Sequence, residues 1–594
     1  MTKINPADAI TALRRNRADP RRAYIIILAS AVAIGLLSLA LAAPDINVWR
    51  HPVGIALNLL PPVLLAATLY CASGRAWIAI LVPTLIVTIL SAISFFKVQV
   101  RGEPLYAHDI VYATEAADAM QSFTLQWSAW LTLMLIVAAL GTVICAFFAT
   151  AKPRARNRVI GSVAGAVICA VLFLFVYSGD RVYSATGGSR GFLTMFLHSI
   201  TVNTSGAPDD YDDDDAQNIL AAYEPESPGI PDDRRVNVMS IMLESYADLS
   251  VYGGIDFKED VYAVWHALQA ESVHGDLIVN IFGGGTINTE RTFLTGLPST
   301  DIKQPIQSYV RLFTENGYYA EGFHAGDYWF YERATVCPNL GFDNYYFLQS
   351  YPDSTRNDDF FFPKLLELYN ARDKSVPYFS HNLTFQNHGG YYTDQNYGSH
   401  LINQGNFTES DYNQLANYLA GINTTNELIA QFIDALRHDP EPVVVLLYGD
   451  HKPSLGSQKS VYRALGLDMD VTNEAGFYNV YRVPYIIWAN DAAKAVLGTD
   501  FVGDGGDISP MFLMNELFDL CGWDGDAYMN LTDALRAVMP VVSVADGHPR
   551  RYVENGVLRY SPSSAVRDLY EDFEKAAYYR ARLQARLQWI MIID

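Results

Sequence analysis

Five long runs of apolar residues constrain the fold of this chain more than any other feature. A helix needs roughly 20 apolar residues to cross a bilayer, and runs of about that length lie at Ala23–Ala43, Val53–Cys71, Ala76–Phe96, Trp127–Thr150 and Val159–Ser178. Pro61-Pro62 in the second run is compatible with a membrane helix, because neighbouring helices can satisfy the freed carbonyl groups. The sequence therefore predicts a five-helix transmembrane domain over residues 23–178. The first run is too long, and lacks a suitable cleavage site, to be a removable signal peptide.

The basic residues around these runs predict the orientation of the chain. Lys and Arg favour cytoplasmic loops, and they cluster before the first run, between the second and third, and between the fourth and fifth, at Arg14, Arg15, Arg17, Arg21, Arg22, Arg75, Lys152, Arg154, Arg156 and Arg158. The alternate loops hold only Arg50, Lys97 and Arg101. We therefore expect residues 1–22 to be a cytoplasmic N-terminus and everything after Ser178 to be extracellular or periplasmic.

Charge separates the chain into two parts. The net charge is −22; residues 1–180 carry 14 Lys/Arg against 8 Asp/Glu, whereas residues 181–594 carry 28 against 56 and so have a balance of −28. A part this acidic is a poor candidate for nucleic-acid binding, which depends on basic surface. Three of the five cysteines fall in apolar runs and no CxxC spacing occurs, which argues against a disulfide framework or a cysteine-ligated zinc. A single bridge between Cys337 and Cys521 stays open.

Short segments connect the two parts. The loop Arg101–Asp109 could contact lipid or form a structured turn. Residues 179–234 are expected to contain an interfacial amphipathic helix at Gly191–His198 and a solvated acidic linker at Asp209–Asp215. Whether a peptidase cuts near Val182–Ala185, which would release the outer part, stays open.

The outer part has an α/β pattern from Arg235 onward. Val236–Leu243, Pro442–Tyr448 and Val483–Trp488 are nearly continuous apolar runs, as expected for strands that are covered on both faces. Tyr412–Leu436 has apolar residues at helical spacing. Near the end, Arg551–Tyr560 is typical of a β-hairpin with Asn555-Gly556 as its turn, and residues 564–593 are typical of a helix.

Polar side chains follow three of the apolar stretches. Glu244 follows the first strand, Asp450 and His451 follow the Pro442–Tyr448 strand, and Thr286 follows Gly283-Gly-Gly285 at the predicted start of a helix. Ligands gather beyond the carboxyl ends of parallel strands, and this set of oxygen and nitrogen donors suits Mn²⁺, Mg²⁺ or Zn²⁺. Taken singly, each residue also has a structural interpretation: Thr286 and Glu244 as helix caps, Asp450 as part of a turn, and His451 as a core histidine.

Two further clusters could belong to the same edge. One is the segment His324–Arg333, which also contains Asp327 and Tyr331. The guanidinium of Arg333 could bind two phosphate oxygens at once. The other is Asn387-His388, where the imidazole could donate a proton to a reacting oxygen. The structural alternatives are a satellite aromatic core and an ordinary loop histidine.

Five short motifs in order resemble a known family. They are Leu243-Glu-Ser, Gly-Gly-Gly-Thr286 with Asn-Thr-Glu290 following, Phe330-Tyr-Glu-Arg333, Phe385-Gln-Asn-His388 and Tyr448-Gly-Asp-His451. With the five spans, they resemble the membrane-anchored lipoteichoic acid synthase and phosphoglycerol transferase family within the alkaline-phosphatase–sulfatase superfamily. The resemblance implies an extracellular catalytic domain over residues 235–545, with a central, mostly parallel sheet. It also implies a small antiparallel sheet near the C-terminus, where residues 546–594 supply a hairpin and a helix.

The resemblance also implies roles for individual residues. A divalent ion, typically manganese, would be held by Glu244, Thr286, Asp450 and His451, and Thr286 would be the nucleophile. Arg333 would bind phosphate or glycerol, and His388 would bind substrate and assist at the leaving or attacking oxygen. Three further residues would contact substrate, namely His324, Asp327 and Tyr331, the last at a position where the synthases usually carry tryptophan.

The implied reaction uses a membrane lipid as donor. Thr286 would attack phosphatidylglycerol, diacylglycerol would leave, and a hydroxyl of a glycerophosphate polymer, glycolipid or glycan would then take the glycerophosphate from Thr286. A true sulfatase is disfavoured because no Cys/Ser-x-Pro/Ala-x-Arg signature surrounds the nucleophile position. Phosphoethanolamine transferases share the five-span plan but usually carry several disulfides. A catalytically inactive membrane-anchored sensor or scaffold is the alternative outside enzymes.

Overall fold

The computed structural model describes residues 20–42, 46–101, 104–112, 127–149, 151–178, 191–202, 207–208, 210–299, 301–545 and 548–593. The described residues form two compact units, a membrane unit within residues 1–205 and a soluble unit within residues 206–594. Residues 182–185, the possible cleavage segment, lie outside the described part of the chain.

The membrane unit contains the five predicted long helices. They are α1 (Pro20–Ala42), α2 (Pro52–Ser73), α3 (Ala76–Arg101), α4 (Ala129–Phe148) and α5 (Ala155–Leu172), the last continued by one π-helical turn, Phe173–Tyr177. Each contains an apolar stretch of at least 19 residues, so the prediction of a multi-pass membrane protein is confirmed. The side of the membrane on which the soluble unit lies stays a prediction.

The predicted amphipathic segment forms α6 (Phe192–Val202). Its apolar side chains, among them Phe192 and Phe196, join a buried cluster with residues of the long helices. Asn58 of α2 donates to the Thr194 hydroxyl at 3.0 Å and accepts from the Thr194 backbone N–H at 3.2 Å. These bonds fix α6 against α2.

The loop after α3 is a structured turn in its described part. Residues Ala107–Tyr112 form a 3₁₀ turn. The Asp109 carboxylate accepts from Lys97 Nζ and from the Tyr106 backbone N–H, both at 2.7 Å. Of the two alternatives for this loop, the structured turn is therefore observed, and its contact with lipid stays a prediction.

The soluble unit alternates strands and helices around one sheet. In chain order its elements are α7 (Asp213–Ala221), β1 (Asn237–Leu243), α8 (Ala263–Gln269), β2 (Val273–Ile278), α9 (Ile287–Thr295), α10 (Tyr309–Glu315), β3 (Tyr319–His324), α11 (Arg333–Leu340), β4 (Asn344–Phe347), α12 (Asp358–Ala371), β5 (Tyr378–Leu383), α13 (Glu409–Arg437), β6 (Val443–Gly449), α14 (Ser460–Ala464), α15 (Glu474–Tyr481), β7 (Arg482–Ala489), α16 (Asp491–Leu497), β8 (Gly503–Ile508), α17 (Leu513–Cys521), α18 (Ala527–Arg536), β9 (Val541–Ser543), β10 (Arg551–Glu554), β11 (Val557–Arg559) and α19 (Arg567–Ile593).

Eight strands form the central sheet in the order β4-β3-β5-β1-β6-β7-β2-β8. The apolar strands β1 and β6 lie in its middle, and every residue of both is buried. All pairings are parallel except β6–β7 and β2–β7. Because β7 alone runs in the opposite direction, the carboxyl ends of β1, β2, β3, β5 and β6 meet at one edge. The predicted mostly parallel α/β fold is confirmed.

A second, antiparallel sheet has the order β11-β10-β9. Asn555 and Gly556 both have positive φ values, +50° and +77°, which allow the tight turn between β10 and β11. The predicted small antiparallel sheet is therefore present. It joins the main core through Tyr552 and Val553.

One expectation about the soluble unit needs correction, and one alternative that the sequence left open can be decided. The acidic run at residues 209–215 was expected to be a solvated linker, but Asp212 caps α7 by accepting from the N–H groups of Asp214 and Asp215, and Asp215 pairs with Lys575 of α19 at 2.6 Å. Carboxylates in the first turn favour a helix because of its dipole. The open bridge between Cys337 and Cys521 is not formed, since both thiols are free and buried.

Candidate active site

The site begins at the carboxyl ends of β1 and β6. These neighbouring strands pair Leu243 with Gly449, so the next residues, Glu244 and Asp450, leave the sheet side by side. The Ser245 backbone N–H donates to Asp450 Oδ1 at 2.7 Å, and the Ser245 hydroxyl donates to Glu244 Oε1 at 2.9 Å. Backbone register and local hydrogen bonds thus hold two carboxylates in a fixed arrangement.

A glycine loop brings Thr286 to the same place. Gly283, Gly284 and Gly285 have φ values of +67°, +138° and +90°, a conformation that is strained for residues with a side chain. The Gly283 N–H donates to the Lys452 carbonyl at 3.0 Å, and a Cβ on Gly283 would meet Ser454 Cβ at 3.0 Å. The loop must therefore pass close to the segment that follows His451.

The Thr286 side chain points to the carboxylates and not to its own helix. It makes no capping hydrogen bond to α9. Its hydroxyl lies 3.3 Å from Glu244 Oε2 and 3.4 Å from His451 Nε2, and the residue is 4 % exposed. The helix-cap interpretation of this side chain is therefore wrong.

Glu244, Asp450 and His451 form a group suited to a metal ion. One ligand atom from each lies within 4.8 Å of the others, and His451 Nε2 is 3.2 Å from Asp450 Oδ2 and 3.8 Å from Glu244 Oε1. His451 Nδ1 is 3.0 Å from the Lys452 carbonyl, a contact that keeps the proton on Nδ1 and leaves Nε2 as a ligand. Within the described residues, the buried Asp450 Oδ2 has no hydrogen-bond donor. These donors fit a divalent cation such as Mn²⁺, Mg²⁺ or Zn²⁺.

The electrostatics of the group point the same way. Burial, together with the nearby charge of Asp450, raises the pKa of Glu244. Burial raises the pKa of Asp450 to about 7. Two buried carboxylates resist ionising together, and a divalent cation between them would remove that penalty.

Arg333 lies in a buried ion pair. Its Nη2 is 2.6 Å and its Nε 3.3 Å from the two carboxylate oxygens of Glu290, on the helix that begins after Thr286. Arg333 is 1 % exposed and Glu290 5 %. The charge of Arg333 outweighs burial and keeps the pKa of Glu290 well below its usual range. The guanidinium is thus largely occupied, and its role in binding phosphate stays a prediction.

Sequence reasoning missed the function of Glu290, although it noticed the residue in a motif. The sequence signal that could have identified Glu290 is its position four residues after Thr286, which places it one turn along α9. The ion pair connects this turn to a strained segment, because Tyr331 and Glu332 both have φ values of +56°. The Tyr331 ring lies 5.5 Å from the guanidinium carbon of Arg333.

His388 lies close enough to the carboxylates for its charge to lower the pKa of Glu244. Its ring stacks on Phe385 at 4.9 Å with an angle of 11° between the planes. The preceding residue, Asn387, donates to the Thr425 hydroxyl at 2.9 Å, and Thr425 donates to Asp358 at 2.6 Å. This buried chain positions the His388 loop against α12 and α13, and nothing in the local sequence indicated it.

The remaining candidates have other contacts. His324 is buried with Nδ1 3.2 Å from the Leu383 carbonyl, and burial lowers its pKa well below the usual value. Asp327 pairs with Arg356 at 2.5 Å and also accepts from Gln349. Glu244, Thr286, Asp450 and His451 therefore come together with His388 nearby, whereas Asp327 belongs to a separate ion pair. Substrate contacts of His324, Asp327 and Tyr331 stay predictions.

Fold and site together describe a multi-pass membrane protein whose soluble unit is an α/β domain with a candidate metal site at one edge of its sheet. Residues 236–523, just under half of the chain, match the Sulfatase family model, so the soluble unit is sulfatase-like over this range. The lipooligosaccharide phosphoethanolamine transferase EptA from Neisseria meningitidis, an integral membrane protein, is 13 % identical and has a TM-score of 0.51. That similarity covers 83 % of this chain and 96 % of that one, and it supports the fold over that part of the chain.

Other similar proteins carry phosphoglycerol- or polymer-related names. The phosphoglycerol transferase GacH of Streptococcus pyogenes, in complex with sn-glycerol-1-phosphate, is 20 % identical with a TM-score of 0.49, over 63 % of this chain and 94 % of that one. The lipoteichoic acid synthase LtaP of Listeria monocytogenes is 18 % identical with a TM-score of 0.42, over 63 % and 98 %.

A curated relative from Rhizobium meliloti (strain 1021) is provisionally named a cyclic beta-1,2-glucan modification protein. It is 24 % identical over 359 residues, which are 57 % of this chain and 54 % of the relative. The match thus spans about half the length of that relative.

Proposed function

We propose that this protein is a divalent-metal-dependent transferase that moves glycerophosphate from phosphatidylglycerol to a hydroxyl group of a glycan. The observation that carries the proposal is the Thr286 hydroxyl, which lies 3.3 Å and 3.4 Å from ligand atoms of Glu244 and His451 and makes no bond to its own helix. A hydroxyl that only capped a helix would have no reason to lie there.

Glu244, Asp450 and His451 would hold the ion, with Thr286 as its fourth ligand. A bound divalent ion lowers the pKa of a coordinated hydroxyl and neutralises charge on phosphoryl oxygens. Manganese is our first expectation, with Mg²⁺ and Zn²⁺ as alternatives that the same donors accept.

Thr286 and His388 would carry the two chemical steps. In the first, Thr286 Oγ1 gives its proton to water and bonds to phosphorus, the bond from phosphorus to the diacylglycerol oxygen breaks, and His388 gives that oxygen a proton. In the second, the acceptor hydroxyl gives its proton to His388 and bonds to phosphorus, while the bond from phosphorus to Thr286 breaks and Thr286 takes a proton from water. The covalent intermediate is glycerophosphoryl-Thr286.

Arg333 would orient the donor from a fixed position. Two of its nitrogens bind Glu290, and within the described part of the chain Nη1 makes only a 3.5 Å contact with the Phe330 carbonyl. Nη1 is therefore the donor that a phosphate or glycerol oxygen could take. The ion pair holds this nitrogen in place because one planar group binds both partners.

The membrane unit explains the choice of a lipid donor. Residues 181–594 have a charge balance of −28, so the soluble unit repels anionic headgroups, and the membrane helices must bring it to the bilayer. We expect the soluble unit to be extracellular or periplasmic.

The name of the Rhizobium relative supports a glycan acceptor. Acceptance by a glycolipid or a growing glycerophosphate polymer, as in lipoteichoic acid synthesis, is an alternative product of the same chemistry. The free, buried Cys337 and Cys521 fit phosphoglycerol transfer better than phosphoethanolamine transfer, whose enzymes usually contain several disulfides.

A reconstituted transfer assay tests the proposal. Full-length protein is incubated with headgroup-labelled phosphatidylglycerol, Mn²⁺ and cyclic β-1,2-glucan, with and without chelator, and diacylglycerol and labelled glycan are measured. We expect metal-dependent release of both, and label on the protein when the glycan is omitted. Thr286→Ala should abolish release, whereas Thr424→Ala, an exposed threonine on α13, should not.

Absence of metal-dependent diacylglycerol would refute the proposal. Labelling from phosphatidylethanolamine instead would reassign the donor, and a ladder of products would indicate a polymerase. If a cellular role of the protein persisted in the Thr286→Ala variant, the inactive sensor or scaffold would be the better interpretation.

A further inference from the structure

A cavity lies at the edge of the central sheet opposite the candidate active site. It has a volume of about 290 Å³ and is formed at the amino ends of β3, β4 and β5 by Tyr318, Tyr319, Asp343, Arg372, Asp373 and Tyr378. Tyr378 begins β5, and the residues at the other end of this six-residue strand lead to the His388 loop. At about 3.3 Å per residue, the cavity is roughly 20 Å from the catalytic edge.

Arg372 gives this cavity two unused hydrogen-bond donors. Its side chain is 2 % exposed, and its guanidinium carbon lies 3.6 Å from the centre of the Tyr369 ring. Nη1 donates to the Tyr369 carbonyl at 2.6 Å. Among the described residues, Nε and Nη2 have no hydrogen-bond acceptor, and Glu441 approaches Nη2 only to 4.0 Å. Buried donors without acceptors are unfavourable, so a ligand that accepts from both would be stabilised.

The other lining residues supply acceptors and aromatic surface. Asp343 accepts from the Ala320 N–H at 2.9 Å and Asp373 from the Ser375 N–H at 2.9 Å, each through one oxygen, and each carboxylate has a second oxygen. The hydroxyls of Tyr318 and Tyr378 bond to other protein groups, so these two residues contribute mainly ring surface. Tyr319 is 37 % exposed.

We infer that this cavity is a non-catalytic binding site for a neutral sugar residue. Sugar hydroxyls can accept from Arg372 and donate to the two aspartates, while the carbon face of a sugar ring packs on tyrosine. An anion fits less well, because Asp343, Asp373 and Glu441 outnumber the single arginine. A volume of about 290 Å³ is near the lower end of ordinary ligand sites, roughly 300–1,000 Å³, and suits one or two sugar residues.

The site would hold the acceptor glycan at a distance from Thr286, which rests on the proposed function. Binding there would raise the local concentration of the glycan and keep it attached between transfers. Because the cavity and the catalytic edge lie at opposite ends of β5, binding and transfer can be measured separately.

Binding is measured on the full-length Thr286→Ala protein in detergent without donor lipid. Cyclic β-1,2-glucan is titrated by calorimetry, and inorganic phosphate is titrated as the anionic probe. We expect Tyr319→Ala and Arg372→Gln, each added to this background, to weaken glycan binding at least fivefold. Tyr560→Ala, a matched exposed tyrosine outside the cavity, should leave it unchanged, and phosphate should show no binding that Arg372→Gln removes. Unfolding temperatures identify any variant that fails to fold. If Arg372→Gln does not fold, Tyr319→Ala, at a partly exposed position, still tests the inference.

Three results would overturn the inference. They are glycan binding that neither cavity variant weakens, phosphate binding that Arg372→Gln removes, and no glycan binding at all. The inference and the proposed function fail separately. Loss of transfer in the reconstituted assay with cavity binding intact would contradict only the function, whereas normal transfer without cavity binding would contradict only this site.

Discussion

The stability of the metal-free protein should fall as the pH rises from 5 to 8. Burial raises the folded-state pKa of Asp450 to about 7 from an ordinary value of 3.8, and Glu244 is shifted in the same direction. Between these pH values the folded state binds more protons than the unfolded state, so stability decreases with pH. The shift of about 3 pH units corresponds to about 4 kcal/mol in total at roughly 1.4 kcal/mol per unit.

The size of the expected effect follows from these values. Of this stabilisation, about 3 kcal/mol is lost between pH 5 and 8. The rest is lost below pH 5, where the carboxylate of the unfolded chain already ionises. The soluble unit lies within residues 206–594, and about 390 residues at roughly 2.1 cal/mol/K each give an unfolding entropy of about 0.8 kcal/mol/K. The unfolding temperature of the chelator-treated protein should therefore fall by about 3–4 °C over this range because of Asp450 alone.

Mn²⁺ should remove this part of the pH dependence. Metal binds the deprotonated carboxylates, so it stabilises the folded state more at pH 8 than at pH 5. Tryptophan fluorescence during heating, with Mn²⁺ or chelator, measures both curves. Burial also raises the pKa of Asp358 to about 7, and this residue contributes equally with and without metal, so the difference between the curves is the relevant quantity.

Asp450→Asn provides the control. The amide keeps an oxygen for the Ser245 and His451 N–H groups that now donate to Oδ1 at 2.7 Å, but it does not titrate. In this variant the two curves should be parallel, and Mn²⁺ should stabilise little. If the wild-type curves with metal and with chelator were parallel, or if Asp450→Asn retained the full metal effect, the assignment of these carboxylates as a metal site would be wrong.

Three substitutions test other parts of the site. Thr286→Ala should lower diacylglycerol release by roughly 10³-fold or more. It should shift the unfolding temperature by less than 1 °C, because no capping bond is lost. A loss of stability near 1 kcal/mol would show that Thr286 caps the helix after all. Glu290→Gln leaves the charge of Arg333 buried without its partner and should destabilise the protein by about 3–5 kcal/mol, measured as a fall in unfolding temperature. Adding Arg333→Met should restore part of this stability. An additive loss in the double variant would contradict the pairing. Gly284→Ala places a side chain on a residue with φ +138°. It should lower the free energy of unfolding by about 1–3 kcal/mol and reduce transfer. Unchanged transfer would show that the loop tolerates other conformations.

The sequence predicted the parts of this protein that depend on local pattern. The five spans are visible as uninterrupted apolar runs, and β1 and β6 are visible because a buried strand is apolar throughout. Glu244 and Asp450 could then be placed together, since a polar residue directly after a buried parallel strand lies at the ligand-binding edge. The helix α13 followed from its apolar periodicity.

The parts that depend on distant pairing could not be predicted. An apolar strand has the same composition in either direction, so the reversed direction of β7 left no signal. The partner of Arg333 lies 43 positions away at Glu290, and the chain Asn387–Thr425–Asp358 joins three separate elements. The prediction missed helix α7 for a different reason. Its signals, Asp212 as a cap and acidic residues in the first turn, are recognisable in the sequence.

In the proposed mechanism, β7 separates the strand before Thr286 from the strands that carry the other three residues that would hold the ion. Glu244 and the Asp450–His451 pair come from adjacent strands, whereas Thr286 follows β2, which β7 separates from β6. Two strand spacings are roughly 10 Å, and residues 279–285 cross this gap, fixed by the bond from the Gly283 N–H to Lys452. The length of that crossing therefore decides how far Thr286 reaches toward Glu244 and His451. Insertions or deletions within it should yield proteins that still take up the ion and cannot use it.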